Sequence, residues 1–521
     1  MKMGIRIVLA VGVVVAFFVF QHEAHHDSKK TSQGKADTAA APVKVKARPQ
    51  VWKRGSLSFT PCELGRPGTG ASVAAWCAPF KVPENRADPK GRMIGLKLAV
   101  VRSDAAAPDP DMVTLLAGGP GEAATQSYVS VASAFADLRK HHDILLLDQR
   151  GTGGSNPLTC KQGAATKTPQ DTAVAMNPDN LRKQVRECLA QVEKKADPRF
   201  YTTTAAVADL EAVRQALGSP RLDLVGVSYG TRMAQQYAMH HPEGVRSIVL
   251  DSPVPNTAIL GADFARNLEH ALKLDFARCT HTPACAKRFG NPYQTLYQLR
   301  DAVRADPHTV TIRDPSSYKD VTRMLNDDSL AAVVRMFAYE PETAALLPLT
   351  IDAAAHGDYG PLLGQASLIS GDLDADMNNG MQMSVVCSED ADLLKPDPAN
   401  KDTLLGNRLI SAIKTECEVW PHGTRPADFH QPLRGDIPTL VLSGQDDPVT
   451  PPRYGKAIVS HLGNARQLVL KGQGHAEVTR GCVPRLMKKF MDTLAPKKLD
   501  ASCLKALQPI PAFVNFNGAT P

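Results

Sequence analysis

A chain of 521 residues has room for two or three domains, or for one large core interrupted by an insertion. Its net charge of +7 sits entirely at the amino-terminal end: through Arg54 there are ten Lys and Arg against three Asp and Glu, and the remainder balances to zero. A body with no basic excess argues against nucleic acid as a partner, because duplex binding rests on many phosphate-neutralising contacts.

Lys2 and Arg6 precede an unbroken apolar run, residues 7–20, and a polar stretch without apolar periodicity follows to about residue 48. This is the pattern of a secretory signal. Fourteen apolar residues fall short of the ~20 that cross a bilayer, yet His22-Glu23-Ala24 is a poor cleavage site. Residues 1–21 are therefore a signal peptide or an uncleaved membrane anchor, with 22–50 as a polar linker, and in both cases the body is exported, to the periplasm or beyond. His22-Glu23-Ala24-His25-His26 matches the zincin string, but it has no third ligand and no helical pattern to orient it. No metal and no cofactor is expected.

Residues 112–116 (MVTLL) read as a buried strand, followed at once by Ala117-Gly118-Gly119-Pro120-Gly121. Such a loop lets backbone amides approach a substrate carbonyl. It is not a phosphate cradle, because no Gly-Lys-Ser/Thr follows and the Rossmann spacing is absent. Residues 222–227 (LDLVGV) are the next strand of interest, and 231–240 (TRMAQQYAMH) read as a helix. Between them lies Gly226-Val227-Ser228-Tyr229-Gly230, a Gly-x-Ser-x-Gly sequence at a sharp strand-to-helix turn that would leave Ser228 standing on a strained elbow. Gly119 and Tyr229 are the expected backbone donors of an oxyanion hole.

The strand pattern runs from about Arg92 to Asp251 and returns from Asp436 to Gly474. The expected organisation is a first core segment, 51–252, a helical cap insertion rich in Ala, Leu and Met, 253–435, and a second core segment, 436–521. Residues 438–443 (PTLVLS) form a strand that ends in Gly444-Gln445-Asp446-Asp447-Pro448, and 467–471 (QLVLK) form another that ends in Gly472-Gln473-Gly474-His475. Acid and histidine at successive strand ends, after the serine, complete the order Ser, Asp, His of an α/β-hydrolase. Asp447, which precedes Pro-Val-Thr-Pro, is taken as the acid, with Asp446 as the alternative. Asp447 would orient His475, and His475 would take the proton of Ser228.

Together LAGGPG, DILLLDQRGTGGS (143–155), LVGVSYGT, LSGQDDPVTPP and GQGH resemble the proline iminopeptidase and tripeptidyl aminopeptidase family of serine peptidases, over about residues 61–504. The resemblance implies an α/β-hydrolase fold, a mostly parallel sheet flanked by helices with an inserted cap, and peptide substrates with a free amino terminus. Two departures matter. Ala117 stands where the family's glycine loop often begins with His or Asn-Pro, and Tyr229 stands where proline-specific members usually carry Trp. The tyrosine is similar to the tripeptidyl branch, so strict proline specificity does not follow. The resemblance also implies near-neighbour pairing of the ten cysteines: Cys62 with Cys77, Cys160 with Cys188, Cys279 with Cys285, Cys387 with Cys417, and Cys482 with Cys503. Such usage suits an oxidising compartment.

A buried ammonium needs a carboxylate partner. Residues 384–390 (SVVCSED), which resemble the family's corresponding cap stretch, offer Glu389 and Asp390 for that role; the same residues also read as a surface acid pair beside a disulfide. An exported esterase or lactonase using the same triad is the alternative activity, since fold and triad specify acyl transfer and not the acyl group.

Overall fold

The computed structural model describes residues 50–66, 69–160, 177–315, 317–365 and 377–519. The export segment expected in residues 1–21 lies outside them, as does nearly all of the linker. No helix among the described residues is long and apolar enough to cross a membrane.

Twelve strands are described: β1 (Trp52–Arg54), β2 (Leu57–Gly65), β3 (Ser72–Pro83), β4 (Met93–Val101), β5 (Met112–Leu116), β6 (Ile144–Leu147), β7 (Leu222–Val227), β8 (Val245–Asp251), β9 (His308–Arg313), β10 (Asp320–Leu325), β11 (Thr439–Gly444) and β12 (Ala465–Leu470). Ten of them form one sheet in the order β1-β2-β3-β4-β6-β5-β7-β8-β11-β12. From β6 to β12 the neighbours run parallel, while β1 to β4 are an antiparallel wing joined to β6.

Parallel strands covered on both faces need apolar residues at every position. All five residues of β5 and all four of β6 are buried. Alternate side chains feed separate apolar clusters on the two faces: Leu222 and Leu224 enter one, Val225 the other, and Val441 is divided from Leu440 and Leu442 in the same way. This sheet is an α/β-hydrolase core, and its parallel strands all end at the edge that carries the site.

Between β8 and β11 the chain is mostly helical, with a third apolar cluster around Leu268, Phe276, Leu330 and Phe337. One hairpin interrupts it. β9 and β10 pair antiparallel from His308↔Leu325 to Arg313↔Asp320, a feature that the Ala/Leu/Met-rich composition does not signal.

The ten cysteines form five disulfides, Cys62–Cys77, Cys160–Cys188, Cys279–Cys285, Cys387–Cys417 and Cys482–Cys503, with no free thiol. They close loops of 6 to 30 residues. By loop closure each contributes about 2 to 4 kcal/mol. Peptide mapping without reductant is expected to recover five local bridges, and several free thiols would contradict both the pairing and an oxidising location.

Candidate active site

Ser228 stands where β7 turns into the helix Tyr229–His240, with φ 54° and ψ −123°. A residue other than glycine keeps such a conformation only where its surroundings hold it. The flanking glycines make the turn possible. A Cβ on Gly226 would lie 2.5 Å from the Gly230 carbonyl oxygen, and one on Gly230 would lie 2.0 Å from that of Leu116. The elbow is fixed to the next strand by the Ser228 amide, which donates to the Asp251 carbonyl at 2.9 Å. Ser228 is half-buried and its side chain does not cap the helix behind it.

The glycine loop after β5 presses against this elbow: a Cβ on Gly118 would meet the Ser228 Cβ at 3.2 Å. The Gly118 amide is engaged, donating to Glu122 Oε2 at 3.2 Å. Among the described residues the amides of Gly119 and Tyr229 have no acceptor. Two unclaimed amides beside a serine are what a developing oxyanion requires.

His475 follows β12, and its Nδ1 lies 2.8 Å from Asp447 Oδ2. The Asp447 carboxylate is buried and fully used: Oδ1 accepts the amides of Val449 and Thr450, each at 2.8 Å, and Oδ2 also accepts Thr450 Oγ1 at 2.7 Å. Burial pushes this carboxyl up, but the His475 charge and these hydrogen bonds outweigh it and hold it below the ordinary range. For His475 burial works against protonation, and the charge and hydrogen bond of Asp447 prevail, so the imidazole is raised. Asp446 turns the other way, receiving Arg278 at 2.7 Å while Arg278 also pairs with Asp275.

A second tie joins serine and histidine segments through the end of β8. The Asp251 carboxylate accepts the Glu477 amide at 2.7 Å and the Val478 amide at 2.9 Å, and Ser252 Oγ accepts the Ala476 amide at 2.8 Å. The backbone of Asp251 thus holds Ser228 while its side chain holds the turn after His475. Burial pushes the Asp251 carboxyl up to about 6. Glu477 beside it, wholly buried, is pushed up to about 10 by burial and then by the charges of Asp251 and Asp447, so it is a neutral acid behind the histidine. Asp251 and Ser252 belong to no motif that the sequence displays; their position at the end of a strand beside the nucleophile strand is the one signal that marks them.

Glu389 and Asp390 are placed deep, not open to a ligand: they are 1% and 0% exposed. Glu389 Oε1 accepts the Thr203 amide at 2.6 Å and Oε2 accepts Thr203 Oγ1 at 2.9 Å. Asp390 pairs with the buried Arg232 at 2.7 Å. An ammonium could reach either carboxyl only by displacing Thr203 or Arg232, so the expected contact with a substrate amine is absent from this arrangement. Thr203 Oγ1 lies 2.5 Å from the Tyr229 hydroxyl, which also accepts Gln149 Nε2 at 3.1 Å. Gln149 belongs to the DQRGTGGS stretch, whose Arg150 is buried in a bidentate pair with Asp209 at 2.6 and 2.7 Å. That stretch therefore supports the site from below.

Three similarities to curated proteins bear on this geometry. The chain is 23% identical over 473 residues to the serine protease Hip1 of Mycobacterium tuberculosis, covering 84% of this chain and 88% of that protein. It is 29% identical over 189 residues to the tripeptidyl aminopeptidase of Streptomyces coelicolor, covering 34% and 35% of the two chains. It is 28% identical over 510 residues to carboxylesterase B of M. tuberculosis, covering 89% and 92%. Residues 112–477, from the strand before the glycine loop to the turn after His475, match the family described as alpha/beta hydrolase fold. With the sheet order and this match, the chain belongs to the alpha/beta hydrolase fold family.

Proposed function

We propose that the protein is an exported serine aminopeptidase that releases residues or short peptides from free amino termini through an acyl-enzyme, with Ser228 as nucleophile, His475 as base and Asp447 as its orienting acid. The observation that carries this reading is the 2.8 Å pairing of His475 Nδ1 with Asp447, next to a strained serine and two unclaimed amides. Asp447 holds the Nδ1 proton, leaving Nε2 as the lone pair for the serine hydroxyl. Ser228 attacks the peptide carbonyl, the oxyanion forms against the amides of Gly119 and Tyr229, and His475 returns its proton to the departing amine. Water, activated by the same histidine, then releases the acyl group.

Peptide substrates are supported by the similarity to proteins named serine protease and tripeptidyl aminopeptidase. Export is supported by five disulfides. The second reading, a carboxylic-ester hydrolase, is favoured by similarity over 89% of the chain to a protein named carboxylesterase B. Neither reading depends on Glu389 or Asp390.

Aminoacyl, dipeptidyl and tripeptidyl chromogenic substrates, each with a free and an acetylated amine, separate the two alongside simple esters. The aminopeptidase reading predicts that acetylation lowers kcat/KM by about ten- to a hundredfold, the worth of one charge-assisted hydrogen bond of about 1.5 to 3 kcal/mol. Indifference to acetylation, together with faster turnover of esters, would establish the esterase reading instead.

A further inference from the structure

The helix Asn379–Glu389 lies in the insertion, yet its two ends touch the two segments that carry the oxyanion donors. At its start, Asn378 donates to the Gly121 carbonyl twice, from its amide at 3.1 Å and from Nδ2 at 2.8 Å. Gly121 is two residues beyond Gly119, and it approaches so closely that a Cβ there would come within 3.0 Å of the Asn378 carbonyl oxygen. Asn378 is itself aimed by Thr159, whose hydroxyl donates to Asn378 Oδ1 at 2.7 Å. Two residues on, the Gly380 amide donates to the Leu158 carbonyl at 2.9 Å.

At the far end, Glu389 grips Thr203 by amide and hydroxyl, and Thr203 meets the Tyr229 hydroxyl. Asp390 holds Arg232 on the helix that Tyr229 begins. Between the ends the helix is fastened along its length: Ser384 Oγ accepts Trp420 Nε1 at 3.0 Å, Ser388 Oγ accepts the Gly423 amide at 2.9 Å, and Cys387 is bridged to Cys417. Nearly every residue of the helix is buried. An element so fixed transmits position, because interiors are packed as densely as crystals and do not deform gradually.

We infer that this helix is a strut that sets the separation of the Gly119 and Tyr229 amides, with Asn378 and Glu389 as positioning residues rather than substrate contacts. The inference rests on the acyl-transfer reading above. It also accounts for a buried acid pair that no ligand reaches: Glu389 serves the nucleophile's neighbour through Thr203. Burial pushes the Glu389 carboxyl up to about 8, so at neutral pH it is largely a neutral acid, which a glutamine reproduces in shape and hydrogen bonding.

The test compares Glu389→Leu, Glu389→Gln, Thr203→Val and Asn378→Ala with the parent, on a small uncharged ester and an unblocked peptide substrate, together with affinity for a boronic acid that mimics the tetrahedral intermediate. A donor misplaced by a fraction of an ångström is expected to lower kcat by about ten- to a hundredfold. The strut predicts that loss in Glu389→Leu, a smaller one in Thr203→Val and Asn378→Ala, equal on both substrates, with KM little changed and boronate affinity falling in parallel. Glu389→Gln should stay within about threefold of the parent. Parental kcat and boronate affinity in Glu389→Leu and Thr203→Val would overturn the strut. Loss in Glu389→Gln confined to the unblocked peptide would overturn it too, in favour of an ammonium contact. A parent that hydrolyses neither substrate would remove the acyl-transfer reading itself, whereas an active parent with indifferent variants removes only the strut. Should Glu389→Leu fail to fold, Thr203→Val, which removes one hydroxyl, decides between the same outcomes.

Discussion

Replacing Ser228 with alanine is expected to lower kcat by roughly three to six orders of magnitude while the thermal midpoint stays near that of the parent. The fold should survive because alanine meets the same backbone at φ 54° as serine does, and the glycines that create the turn remain. His475→Ala should cost about as much, and the double variant little more, since members of such a unit fail together. Separate, additive losses would mean that the two side chains do not act on one proton. Kinetics of the single and double variants on one substrate decide between these outcomes.

The adjacent aspartates provide the second large effect. Asp447→Asn is expected to lower kcat by about four orders of magnitude, because an amide facing Nδ1 favours the wrong tautomer of His475. Asp446→Asn should leave kcat within a fewfold, since it disturbs only the pairing with Arg278 and, through it, Asp275. The reverse ranking would exchange the two roles. A pH profile adds a signed check. His475 must be neutral to act as base, and its raised pKa means that kcat/KM of the parent falls as pH drops through a value above the ordinary imidazole range of about 6.5. In Asp447→Asn the residual activity should titrate at a lower pH, because the charge that raises the imidazole is gone.

Much of this arrangement is legible in the sequence because it follows from local necessity. The strand before the elbow, the turn glycines and the loop after β5 are set by short-range sterics, and β5 and β7 begin and end where the apolar pattern does. What escapes is whatever depends on residues far apart in the chain. Glu389 looks like a surface acid or an ammonium receptor until Thr203, 186 residues earlier, is seen to occupy both its oxygens. Asp251 gives no local sign that it holds the turn after His475, 226 residues later. The hairpin of β9 and β10 is hidden for another reason: its strands are half exposed and carry charged residues, so they lack the continuous apolar run that marks the central sheet.

One experiment bears most directly on the account: treatment with a serine-reactive phosphonate, followed by mass spectrometry of the digested protein. The account predicts a single adduct on the peptide that contains Ser228, formed by the parent, slowed strongly in His475→Ala and absent from Ser228→Ala. An adduct on another residue, or undiminished labelling of Ser228→Ala, would contradict it.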